Sequence, residues 1–451
     1  MTVFVDKTYR MMVFLSILLF FFSCTKVEIP IIEDDPPVVV IVPNIGGQRY
    51  VSPDGNDTNP GTFEKPWATW QRAFDMADPG DTVYIRGGVY YVTKAVRYNP
   101  RDRSGVSGTE ASPIHYFNYP NEHPILDGIK KTEPSSGLLI SGVEHIHLKG
   151  LTIRNNFEIV DNYKYASNFI LSSCNNCIVE RCTSYNSGRR GFYIHKGDEI
   201  YLLNCDSYNN CDSLDTSYQG GGGDGFLVWD DGTADDVGKK VVLRNCRAWN
   251  NSDDGFDLEI EGLLVVENSY SFNNGYLDGD GMGFKFGLKD IKTDGVTKVL
   301  TNCVSAFNKY NGFTTNDRNA VTNPMHVYNC VAYKNGNTGF MIFQTDETDS
   351  RELQRVFRNN ISYKNYTTHR TMNDARYTHS NNTWDTQVEL SDADFISLDS
   401  SGLQGARLPD GSLPEINFLR LVEGSDLIDA GLDVGLDFSG LAPDMGAYEF
   451  K

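Results

Sequence analysis

Arg244-Asn-Cys-Arg-Ala-Trp-Asn-Asn-Ser-Asp-Asp-Gly-Phe-Asp-Leu-Glu-Ile260 holds the pattern that decides the fold. It contains a small residue after Asn (Cys246), an aromatic followed by Asn (Trp249-Asn250), and Gly255-Phe256. The same three marks recur along the chain. The aromatic–Asn mark appears at Tyr185-Asn186, Tyr208-Asn209, Phe272-Asn273, Phe307-Asn308, Tyr333-Lys334-Asn335 and Tyr363-Lys364-Asn365. The small residue is Cys182, Cys205, Ser269, Cys303 and Cys330. Gly-Phe returns at Gly191, Gly225, Gly283, Gly312 and Gly339, at intervals of 34, 30, 28, 29 and 27 residues when Gly255 is included. A sustained period of this length signals a solenoid. The units hold short β-branched and aromatic runs bounded by Asn, Gly and Asp, with no helix-length apolar period, so the fold class is all-β, a parallel β-helix.

Equivalent residues on successive coils then stack about 4.8 Å apart. The Phe of each Gly-Phe should form an interior ladder, and the cysteines a second interior row as small apolar thiols rather than disulfides. The Asn row should bond turn backbone groups. Cys174-x-x-Cys177 has no second pair at zinc spacing and reads as a structural turn.

Outside the repeat, Lys7 and Arg10 precede the apolar run Met11 to Phe22, which is too short to span a bilayer. That layout is a signal peptide over 1–23, and Leu19 to Cys24 resembles a lipobox that would lipidate Cys24. The expectation is an exported protein, lipid-anchored at the outer membrane or surface of a bacterium, with periplasmic or secreted placement as the alternative. Residues 24–46 read as a flexible tether, 47–95 as an N-terminal cap and first coil, 96–395 as the β-helix and 396–451 as a closing segment. Trp67 to Ala77 has the spacing of a capping helix, followed by a strand over Thr82 to Ile85.

The 451 residues include 40 Lys+Arg and 60 Asp+Glu, a net charge of −20. That balance argues against nucleic acid as a partner, and an acidic polymer would need a local cation to approach. If the Phe after each Gly faces inward, the next residue faces out. The outward ladder then reads Tyr193, Leu227, Asp257, Lys285, Thr314, Met341, and the ladder just before each Gly reads Arg190, Asp224, Asp254, Met282, Asn311, Thr338. Asp224, Asp253, Asp254 and Asp257 therefore converge with Lys285. Such a nest of carboxylates suits Ca²⁺, which takes six to eight oxygens; a solvated acidic face is the plainer reading. Extra residues at 209–225 and 273–283 would wall a groove over the cluster. A cation beside a lysine fits β-elimination of a uronate polymer: the metal offsets charge built on the substrate carboxylate and the amine removes the C5 proton. Arg189 and Arg190 could hold substrate carboxylates or sit in a solvated turn; Trp229 could stack on a sugar or pack beneath the 230–240 loop. His195 reads as a bystander, Asp278 and Asp280 as a polar turn, and Asp230, Asp231, Asp235 and Asp236 as an exposed loop.

Over most of its length the chain resembles polysaccharide lyase family 9. The resemblance lies in Tyr50-Val-Ser-Pro-Asp-Gly-Asn56, Asn251-Ser-Asp-Asp-Gly-Phe-Asp257 and Gly283-Phe-Lys-Phe-Gly287. It implies a right-handed β-helix, a Ca²⁺ cofactor on Asp224, Asp253, Asp254 and Asp257, and Lys285 as Brønsted base. The implied partner is an acidic plant cell-wall pectin, either pectate or rhamnogalacturonan I, acted on by a monomer. Two rival classes stand beside it. A β-helix pectin hydrolase would use Asp253, Asp254 and Asp224, but Gly281-Met-Gly-Phe-Lys285 replaces the Gly-His-Gly such hydrolases resemble one another in. A non-catalytic glycan-binding solenoid would need no lysine base.

Overall fold

The computed structural model describes residues 46–102, 105–157, 166–287, 295–315, 324–342, 355–370 and 377–451. The signal segment, Cys24 and nearly all of the tether lie outside these residues.

Among the described residues, three parallel sheets of 12, 10 and 10 strands run the length of a β-helix. Each coil gives one strand to each sheet. Phe192–His195 belongs to the sheet that carries the site, Asp198–Leu203 to the 12-stranded sheet and Asp206–Tyr208 to the third. The corner between the latter two is made by Asn204, with the left-handed φ of 57°, and Asn245, Asn268, Asn302, Asn329 and Asn359 repeat it. Asn tolerates that region because its side chain bonds locally, which explains the recurring Asn-Cys. Cys205, Cys246, Cys303 and Cys330 follow these corners and Cys182 follows the left-handed Arg181, all buried and unbridged, as are Cys174 and Cys177.

The Gly-Phe mark has a packing cause. Phe169, Phe192, Phe226, Phe256, Phe284, Phe313 and Phe340 stack in one buried column with centroids 4.6–5.0 Å apart. The preceding residue turns its Cα toward a row of Ser and Ala: a Cβ on Gly255 would lie 2.0 Å from Ser271 Oγ, and one on Gly225 2.8 Å from Ala248 Cβ. Glycine is required there by close approach rather than by backbone conformation.

The asparagine ladder is present, at Asn308, Asn335 and Asn365 as expected and one residue later than expected in the Asn-Asn coils. It runs Asn210, Asn251, Asn274, Asn308, Asn335, Asn365, each Nδ2 donating to the next Oδ1 at 2.8–3.0 Å. In the Asn-Asn coils the first Asn (209, 250, 273) takes the left-handed turn position and the second enters the ladder. Phe307 occupies that turn position in its coil, so Ala306, not Phe307, pairs with Phe272.

The capping helix is shorter than expected, Trp70–Met76, with the Thr69 hydroxyl accepting from Arg72 N–H. It buries Trp70, Ala73 and Phe74 over the first coil. The segment 396–451 does more than close the far end. It runs back along the third sheet, where Leu403, Phe418, Leu421 and Met445 cover Trp249, Phe272 and Val304. Arg407 reaches Asp206 from 201 residues away.

Candidate active site on the second sheet

Four strands carry the site: Phe192–His195, Phe226–Trp229, Phe256–Glu259 and Phe284–Phe286. The register pairs Leu227 with Asp257 and Asp257 with Lys285. With the phenylalanines inside, alternation turns Asp257 and Lys285 to the outer face. The turn before each strand adds Asp224 and Asp254, whose backbones bond across the same rungs: Gly191 N–H donates to Asp224 O and Gly225 N–H to Asp254 O.

Lys285 Nζ lies 2.9 Å from Asp254 Oδ2 and 3.1 Å from Asp257 Oδ2. One oxygen each of Asp224, Asp254 and Asp257 fall within 4.8 Å of one another. Asp253 stands alongside, its Oδ1 accepting Asp280 N–H at 2.7 Å. Asp254 Oδ1 accepts Met282 N–H at 2.7 Å. The 273–283 insertion thus fixes two of the carboxylates from above. It is tied to the 209–225 insertion by Asp278 N–H to Gln219 O and by Tyr218 Oη to Asp280. The expected groove wall is therefore real, and it shields the outward row instead of leaving it solvated: Asp257 is 9 % exposed and Asp254 not at all.

Burying this much like charge distorts its chemistry. Burial, then the charge of Asp257, pushes Asp224 up to about 7, against the pull of Arg190. Burial and Asp254 push Asp253 up to about 10. Asp254 rises through burial to about 6, with Lys285 opposing. Burial alone would lower Lys285, but Asp254, Asp257, Glu259 and Asp253 outweigh it and hold the amine well above the usual lysine value. Asp257 Oδ1 is buried with no hydrogen-bond partner. Converging carboxylates, an orphaned oxygen and hard donors fit a divalent cation such as Ca²⁺.

Residues 49–382 match the model of the Pel9A-like, right-handed β-helix region. The chain belongs to polysaccharide lyase family 9. Pectate lyase L of Dickeya chrysanthemi is 30% identical over 423 residues, covering 89% of this chain and 90% of the relative. Pectate lyase PEL9 of Emericella nidulans is 28% identical over 410 residues, covering 84% and 93%. Among solved structures, pectate lyase Pel9A superposes with a TM-score of 0.72 at 27% identity, covering 90% of this chain and 96% of that one. A rhamnogalacturonan lyase gives 0.70 at 28%, covering 84% and 97%.

In this polysaccharide lyase the remaining expected residues divide. Arg190 joins the site, its Nε 3.5 Å from Asp224 Oδ2 and its guanidinium over the Tyr193 ring. Arg189 turns under the 209–225 wall, where a Cβ on Gly222 would meet its Nε at 3.0 Å and Asp212 at 2.8 Å. Trp229 stacks on His195, centroids 5.0 Å apart. His195 is thus part of an aromatic face, with Nε2 3.3 Å from Asp231. Two of the four loop acids are not exposed as expected. Asp230 accepts Glu261 N–H and Gly232 N–H, and Asp236 caps its own turn and pairs with Lys239 at 2.6 Å.

Glu259 is the site residue the sequence reading passed over. It pairs with Trp229 across the rung, and burial and Asp257 push it up to about 8. Its signal was available, since it lies two residues beyond Asp257 on one strand and so shares its face.

Proposed function

We propose that this lyase cleaves the galacturonate-containing pectin backbone by β-elimination, with pectate, the polymer its Dickeya and Emericella relatives are named for, as the substrate. The observation that carries the reading is the Lys285 amine, one rung from Asp257 and in contact with both Asp254 and Asp257. Asp224, Asp254 and Asp257, with Asp253 beside them, are the residues that would hold Ca²⁺. A cation there would supply positive charge to the carboxylate at C5, making the adjacent C–H more acidic and letting an acidic polymer approach an acidic protein.

Lys285 is the Brønsted base. It must be neutral to accept the C5 proton at Nζ, and the contacts that now keep it charged are the ones a cation would compete for. The C–H electron pair moves into the C4–C5 bond as the C4–O bond breaks, leaving an unsaturated uronate on one fragment, while the departing oxygen takes a proton from water to give a hydroxyl on the other. The insertions 209–225 and 273–283 hold the carboxylates in place and exclude water from Asp254. Leu19 to Cys24 supports export with a lipid on Cys24, which would set the enzyme facing an extracellular polymer.

The test is product analysis on polygalacturonate and rhamnogalacturonan I, each with Ca²⁺ and with chelator. Ultraviolet-absorbing unsaturated ends that appear only with Ca²⁺ support the proposal. Saturated reducing ends would make the protein a hydrolase, and binding without cleavage an adhesin.

A further inference from the structure

The outer face of the site sheet is asymmetric about the Lys285 coil. On the coils before the carboxylates it presents Arg190, Tyr193, His195 and Trp229. Tyr193 and His195 rings lie 5.8 Å apart, and His195 and Trp229 5.0 Å. All four side chains are partly exposed. On the coils after Lys285 the same ladders read Asn311, Thr314, Thr338 and Met341, which carry no charge. From Arg190 to Met341 on these ladders, Arg190 and Lys285 are the basic side chains; the outward ladder ends on Arg97 before them and on Arg370 three rungs beyond Lys285.

Arg190 is poorly used by the protein itself. Its Nε is within ion-pair range of Asp224 but makes no hydrogen bond, whereas the buried guanidinium of Arg247 on a neighbouring sheet is bidentate to Asp206. A guanidinium fork recognises a carboxylate in two places, and flat amphipathic rings suit the apolar faces of pyranose sugars. The Arg190 strand lies three rungs from Lys285, roughly 14 Å at the usual spacing, and its side chain leans back toward Asp224. The backbone separation is longer than one sugar, which places Arg190 to meet a neighbour of the sugar whose C5 proton Lys285 faces.

We propose that Arg190 is a specificity-determining residue that receives the carboxylate of a uronate sugar bound on the N-terminal side of the carboxylate cluster, with the His195–Trp229 stack as the platform for that part of the chain. The polymer then lies along the solenoid axis. This rests on the uronate-cleaving reading of the same site and adds where a second acid group is recognised.

The experiment compares wild type, Arg190→Gln, Arg190→Lys and Trp229→Ala on whichever pectic polymer the wild type cleaves, at saturating Ca²⁺. Thermal melts check that each variant is folded. Arg190→Gln should raise KM about tenfold or more with kcat within twofold, Arg190→Lys should recover part of the loss, and Trp229→Ala should also raise KM. With Arg190→Gln the penalty should vanish on uronate oligomers too short to reach that sugar. An unchanged KM would overturn the proposal. So would a variant whose only defect is a shifted Ca²⁺ requirement, since Arg190 would then merely steady Asp224. A wild type that yields no unsaturated product would instead sink the lyase reading.

Discussion

Asp257 and Lys285 are rung partners on neighbouring coils, 28 residues apart in sequence, with Nζ 3.1 Å from Oδ2. The pair places an amine and a carboxylate on adjacent strands of one sheet, which fixes their backbones one rung apart. In the state described, the carboxylates that would hold a cation also hold the amine charged. Loading the cation and freeing the base are then two sides of one competition.

Removing the amine separates the two roles. Lys285→Ala should lower turnover by about 10²–10⁴-fold, read from the absorbance of unsaturated product, while Ca²⁺ binding measured by calorimetry persists. In the wild type, the rate should climb toward alkaline pH because the raised amine must lose its proton. A rate that peaks in acid, or a Lys285→Ala enzyme that keeps its turnover, would remove Lys285 from the chemistry.

The metal-free cluster should leave a mark on stability. Asp254, Asp224 and Asp253 are raised to about 6, 7 and 10, above the ordinary aspartate value. The folded state therefore holds these protons more tightly than the unfolded chain. The associated stability is complete below about pH 4 and is lost as pH rises through 6 and 7 toward 10. Ca²⁺ displaces the same protons. The gain in melting temperature on adding Ca²⁺ should be larger at pH 8 than at pH 5; equal gains would mean the carboxylates are not linked to the ion.

The glycine before each ladder phenylalanine tests the packing. A Cβ at position 255 would lie 2.0 Å from Ser271 Oγ and 2.9 Å from Gly283 O. Gly255→Ala should destabilise the protein by about 1–3 kcal/mol, seen in denaturant unfolding. It should also lower activity, because Asp254 and Asp257 flank the displaced backbone.

How far the sequence could be read follows from which features repeat. The phenylalanine column, the cysteine row and the Asp257–Lys285 rung each need only the coil period and strand alternation. The slip at Phe307 shows the limit. Phe307-Asn308 imitates Trp249-Asn250, yet Phe307 adjoins its ladder residue Asn308 while Asn250 separates Trp249 from Asn251, and only backbone conformation reveals that Phe307 has taken the turn position. Glu259 was missed because it belongs to no conspicuous motif, although the alternation that exposes Asp257 exposes it too. The path of 396–451 was illegible for a different reason. It has no period of its own, and its contacts, such as Arg247 with the Leu403 carbonyl across 156 residues, are set by tertiary packing.

That packing supplies the last prediction. Asp206 accepts two bonds from Arg247 at 2.8 Å and two from Arg407 at 2.7 and 3.1 Å. Arg247 also donates to the Leu403 and Gly405 carbonyls, and Arg407 to those of Cys205 and Asn245. One carboxylate thus clamps the returning segment to two coils. Burial alone would raise the Asp206 pKa, but Arg247 and Arg407 outweigh it and hold it below the usual aspartate value. Asp206→Ala would strand two guanidinium groups, one of them 3 % exposed, at a cost of about 3–5 kcal/mol. Arg407→Ala should cost less, because Asp206 keeps Arg247. Both variants leave the second sheet untouched. They should therefore lower the melting temperature and hasten proteolysis within 396–451, while activity per folded molecule stays at the wild-type level. A loss of turnover without a loss of stability would show that the returning segment shapes the site, against its role as a brace.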